Sequence, residues 1–137
     1  MTATHTAVPS RTAVIRPLAG TGAVALALAS GATAAVAAAG HAAGISLHVG
    51  GAPIPVTGFA VLTAVCSLAG LVLAVVLARV ARHPRTAFVR STVVLTALSL
   101  VPDVIADATP GTKMLLMLTH LVAAAIVIPA VARRLPA

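Results

Sequence analysis

The sequence predicts an all-α protein, a bundle of four transmembrane helices running antiparallel, up and down. Three observations predict it. The chain is 60% hydrophobic and only 8% charged, with a mean hydropathy of +1.12, too apolar for a water-soluble domain. Its apolar residues gather in four runs, each able to cross a hydrocarbon core of ~30 Å, which takes ~20 helical residues. Its basic residues stand at the ends of those runs rather than along one face. Lipid cannot satisfy backbone polar groups, so each run must be helical, and a barrel is excluded because the runs are long and do not alternate. The same charge placement argues against nucleic acid as a partner despite a net charge of +7, and leaves the lipid bilayer as the partner that composition implies.

The chain reads as a single transmembrane domain over residues 1–137, with spans at about 18–39, 59–78, 86–108 and 112–132. The first span is mostly Ala and Gly, inserts weakly alone and depends on its neighbours. Ala23, Ala27, Gly31, Ala35 and Ala39 recur every four residues, a ridge of small side chains that lets another backbone approach. That ridge could serve a homo-oligomer or another membrane protein, but packing inside the bundle is the simpler reading. The same region, with Arg11, Arg16 and "AAVAAAG", can be read as a secretory signal. Its apolar run exceeds the ~7–15 residues of a signal core, so the expectation is a retained span.

The outer loop, 40–58, is rich in Gly and Pro yet nearly uncharged, and is expected to lie on the bundle rather than extend into water. In the second span Thr63, Ser67, Gly70, Ala74 and Ala78 form a small-residue face expected to meet the ridge of the first. Cys66, the single cysteine, excludes an intrachain disulfide and any CxxC motif. An arginine-rich turn leads to the third span, and "ATPG" turns the chain tightly into the fourth. Arg11, Arg16, Arg79, Arg82, Arg85, Arg90, Arg133 and Arg134 fall on one side and only Lys113 on the other. The positive-inside rule then places both termini in the cytoplasm and the 40–58 loop outside.

The chain keeps its only two carboxylates in "SLVPDVIADATPGT". From Arg90 the helix covers ~20 Å to Asp103 and ~26 Å to Asp107. Asp107 therefore reaches the outer interface when Arg90 snorkels, while Asp103 is held about a turn inside and needs a protein partner. Thr92, Thr96, Ser99, Asp103 and Asp107 share one helix face, and Pro102 frees the carbonyl of Leu98 nearby. On the fourth span Lys113, Met117 and His120 share a face. Helical side chains lean toward their own N-terminus, so Asp103 leans inward and His120 outward across the hairpin, and the two can meet. Asp107 and Lys113, flanking the turn, form a second candidate pair.

Two readings follow. The functional one is an outward-facing polar site of Asp103, Asp107, His120, Lys113 and Ser99, joined by His41 and His48, which carries a proton or holds a metal or small ligand. The plainer one is an interhelical strut of Asp103 and His120, with His41 and His48 as exposed loop residues, and it is favoured because the spacing matches no metal motif. No cofactor is indicated and the identity of any metal is open. No nucleophile with a recognisable base and no phosphate loop is visible, so an enzyme is not expected.

The stretch "LTALSLVPDVIADATPGTKMLLMLTHLVAAAIVIPAVARRL" resembles the last hairpin of a family of small four-helix integral membrane proteins from actinobacteria that carries only a domain-of-unknown-function label. The resemblance extends over nearly the whole chain and is most distinctive in "SLVPD" and "THLVAAAIVIPA". It implies four spans and a bacterial plasma membrane, points at Pro102, Asp103, His120 and Pro129, and supplies no activity. The expectation is a non-enzymatic accessory or structural membrane protein, with a proton-linked or ligand-binding transporter-like protein as the alternative.

Overall fold

A computed structural model describes residues 11–137, with side chains from Ile15 onward; the Arg11 side chain, counted in the charge asymmetry, lies outside the described ones. Four helices pack together: α1 (Arg11–Ala42), α2 (Val56–Val80), α3 (Pro84–Ile105) and α4 (Pro110–Ala132). Between α1 and α2 sits a small antiparallel hairpin of β1 (His48–Val49) and β2 (Ala52–Pro53). All four helices are long and apolar enough to cross a membrane. Even the shortest, α3 with 22 residues, is about 33 Å long.

Each helix ends where its local chemistry requires. Past the end of α1, Gly44 adopts φ 86°, and the amides of Gly44 and Ile45 donate back to the carbonyls of His41 and Gly40, both at 3.0 Å. This left-handed glycine cap satisfies carbonyls that the helix leaves free. Pro84 and Pro110 open α3 and α4 at positions where a missing amide costs nothing. Thr109 caps α4 by accepting from the Thr112 amide at 3.3 Å. The third helix ends at Ile105, short of the expected 108, so Asp107 lies in the turn rather than on the helix.

The α1–α2 loop contains regular structure that composition alone did not suggest. Gly50 and Gly51 sit at φ 59° and 77°, the two consecutive positive values that a two-residue hairpin turn requires, and only glycine adopts them freely. The hairpin is fastened to the bundle. The Gly50 amide donates to the Asp107 carbonyl at 2.8 Å, Thr112 donates its hydroxyl to the Ser46 carbonyl, and Leu47 is buried with Ala37, Phe59 and Leu115.

Packing on α1 uses a different face from the expected one. Ala23, Ala27, Gly31, Ala35 and Ala39 are all exposed, while Leu18, Gly22, Ala25, Ala29, Thr33, Ala37 and Gly40 are buried. The reason is geometric. With 3.6 residues per turn, a strict four-residue repeat drifts about 40° per step and turns through about 160° from Ala23 to Ala39, whereas the buried series has steps of three at Gly22–Ala25 and Ala37–Gly40 that offset this drift and leave about 40° from Leu18 to Gly40. The close approaches accordingly fall at Gly22, where an added Cβ would lie 2.6 Å from Leu71, and Gly40, where it would lie 2.8 Å from Leu115.

On α2 the expected face does point inward, with Ser67 and Ala74 buried and Thr63, Gly70 and Ala78 half-buried. Helix α1 packs on α2 and α4, and α3 packs on α4 more closely than on α2. A second apolar cluster, of Leu18, Ala74, Phe88, Val131 and Leu135, lies among the arginine-bearing ends.

Candidate functional site

The structure brings Asp103 and His120 together. Asp103 is 7% exposed, and its Oδ2 lies 2.8 Å from Nδ1 of His120. The same Nδ1 lies 3.1 Å from the Leu116 carbonyl, one turn back along α4. A carbonyl can only accept, so the Nδ1 hydrogen is on this side of the ring and is directed at Leu116. Asp103 Oδ2 therefore sits close to the nitrogen but off its N–H axis. It has no directed hydrogen bond among the described residues. The contact is a short electrostatic one between α3 and α4, in a segment where a lone carboxylate would be costly.

The stripe leading to Asp103 is polar in sequence but not in what it presents. Thr92 donates its hydroxyl to the Phe88 carbonyl at 2.8 Å, Thr96 to the Thr92 carbonyl at 2.8 Å and Ser99 to the Thr96 carbonyl at 2.7 Å. On α4 Thr119 does the same to Leu116 at 2.7 Å. Each of these hydroxyl protons returns to a carbonyl of its own helix, the back-bonding that Ser and Thr adopt in mid-helix. Among the described residues these hydroxyls form no hydrogen-bonded chain to Asp103.

The remaining candidates lie elsewhere. Asp107 is exposed and makes no ion pair with Lys113 among the described residues. Lys113 instead donates to the Val104 carbonyl at 3.0 Å, placing its charge at the negative end of α3. The expected second pair is thus replaced by a helix cap, because the unsatisfied last-turn carbonyls of α3 are nearer than a carboxylate beyond the helix end. His41 is exposed at the end of α1, and His48 is exposed with Nδ1 3.0 Å from the Ser46 hydroxyl. Both border a shallow recess over the hairpin that includes neither Asp103 nor His120. The proposed constellation separates into two places, and no group of three metal-ligating side chains occurs among the described residues.

Two features carried no flag in the sequence reading. Mid-bundle, Thr33 and Thr63 join α1 and α2 with their hydroxyls 3.0 Å apart; because Thr33 donates to Ser30, Thr63 is the donor between them. The few hydroxyls well inside two otherwise apolar runs, Ser30 and Thr33 on the first and Thr63 and Ser67 on the second, were the available signal. The second feature is a cleft of ≈ 550 Å³ between α2 and α3, floored by α4. It exists because the facing residues are small: Thr63, Ser67 and Gly70 on one side, and Thr92, Thr96 and Ser99 on the other. Nothing stands within 4 Å of where a Cβ on Gly70 would be. His120 lines this cleft.

A family model matches residues 13–137. The chain belongs to DUF6069, a family of unknown function. No curated protein and no solved structure matches it. The DUF6069 match takes in all of α3 and α4, so Asp103, His120 and the cleft all lie inside the family region.

Proposed function

We propose that this DUF6069 chain is a non-enzymatic accessory or structural protein of a bacterial, actinobacterial, plasma membrane, with Asp103 and His120 serving as a strut between α3 and α4. The four helices run antiparallel, up and down, with both termini in the cytoplasm and the hairpin outside. The arginine distribution supports this orientation, since Lys113 is the one basic residue among Lys and Arg at the hairpin side. The observation that carries the role is the 2.8 Å approach of a buried carboxylate to His120, flanked by hydroxyls that all return to their own backbone. A strut needs only the pair; a transport path needs polar groups on both sides of it.

One observation favours a second reading, a proton-linked or ligand-binding site at Asp103 and His120 with Asp107 nearby. His120 borders the cleft, and its Nε2 makes no hydrogen bond among the described residues. Thermal unfolding of the purified chain across about pH 5 to 8, with divalent metals or chelator, separates the two. The strut predicts no stabilisation by metal and lower stability of Asp103→Asn and His120→Gln throughout. Stabilisation by metal that both variants abolish would instead establish a ligand site.

A further inference from the structure

The cleft between α2 and α3 suggests an occupant, and the inference drawn from it stands independently of the strut. It runs alongside α2 from Phe59 to Leu73, ~21 Å of helix and most of the ~30 Å thickness of a hydrocarbon core. Its wall is largely apolar: the hydroxyls of Thr92, Thr96, Ser99 and Thr119 are turned into their own helices and that of Thr63 is paired with Thr33, which leaves Ser67 and His120 as its other polar side chains. Its shape suggests the occupant. The ≈ 550 Å³ is spread along ~21 Å of helix, a long, narrow slot that one extended hydrocarbon chain follows from end to end.

Charge at one end selects the kind of lipid. Arg85 extends the cleft-lining face of Phe88, Thr92 and Ser99 by one further turn, and Arg82 lies in the short connection that joins α2 to α3. Both are exposed and neither has an ion-pair partner among the described residues. The only acidic side chains, Asp103 and Asp107, are at the opposite end of α3. An anionic phosphate at Arg82 and Arg85 would balance this charge while its chain entered between the helices.

We propose that this cleft is a lipid site that seats one acyl chain of an anionic phospholipid, with the phosphate held by Arg82 and Arg85. The test is native mass spectrometry of the full chain released from vesicles of phosphatidylglycerol mixed with phosphatidylcholine. The wild type is expected to retain one phosphatidylglycerol in preference to phosphatidylcholine. R82Q/R85Q should lose that preference by roughly tenfold to thirtyfold, since each basic residue near a membrane surface contributes roughly a factor of five. Gly70→Leu, which fills the cleft from a position where a Cβ meets nothing, should release lipid of both kinds. Equal retention of the two lipids by the wild type, undiminished retention by Gly70→Leu, or dimers that lipid disperses would each overturn the proposal. A measurement on the unaltered chain gives a second test. Cys66 lines the cleft, so phosphatidylglycerol added in detergent should slow its alkylation several-fold while phosphatidylcholine does not, and an unchanged rate would count equally against the site.

Discussion

A carboxylate inside an apolar bundle depends on its partner more than the partner depends on it. His120 also has the Leu116 carbonyl at 3.1 Å, but among the described residues Asp103 has only His120. His120→Leu should therefore destabilise the fold by roughly 3 kcal/mol, because it strands a buried acid, and Asp103→Leu by only about 1 kcal/mol. Chemical or thermal unfolding in detergent checks the order, and equal losses would show that Asp103 has another partner. The meeting of these two residues was legible in the sequence from helix geometry, since one leans inward and the other outward across a tight turn. The failure of Asp107 to find Lys113 was not, because it depends on α3 ending at Ile105 and on the Val104 carbonyl taking the ammonium.

Helix existence was plain from four apolar runs, but the buried face of an Ala-rich helix was not. When nearly every residue is small, apolar pattern carries little phase information, and a four-residue repeat is drawn as easily on the exposed face as on the buried one. The difference is testable. Gly22→Ile should cost about 1–3 kcal/mol by overpacking against Leu71, whereas Gly31→Ile, with nothing near its Cβ, should stay within about 0.5 kcal/mol of the wild type. The reverse order would restore the exposed ridge as the packing face. The hairpin gives a second test at this scale. Gly51→Val, forced into φ 77°, should cost about 1–2 kcal/mol and loosen Leu47 from its pocket, seen as faster hydrogen exchange at the Ile54 amide, which now donates to Leu47 at 2.7 Å. Gly-Gly between short extended stretches was the sequence signal for this turn, masked by the prolines around it.

Across the whole molecule the spans were legible because they follow from length and hydropathy, while the cleft was not because it is a property of two faces together. Small polar residues on α2 and α3 each look like packing surfaces; only their opposition leaves a gap. The orientation proposed for the bundle predicts a specific labelling pattern. In a Cys66→Ala background, a cysteine at Ala52 in the hairpin should react with an impermeant maleimide on intact cells, and one at His83 in the α2–α3 turn only after lysis. The opposite pattern would invert the protein in its membrane. The most direct measurement of the central claim, that Asp103 and His120 hold α3 to α4, is a double-mutant cycle of Asp103→Leu and His120→Leu read as unfolding free energy. The strut predicts a coupling of about 1–2 kcal/mol, with the double variant more stable than His120→Leu alone. Losses that simply add, within about 0.5 kcal/mol, would contradict it.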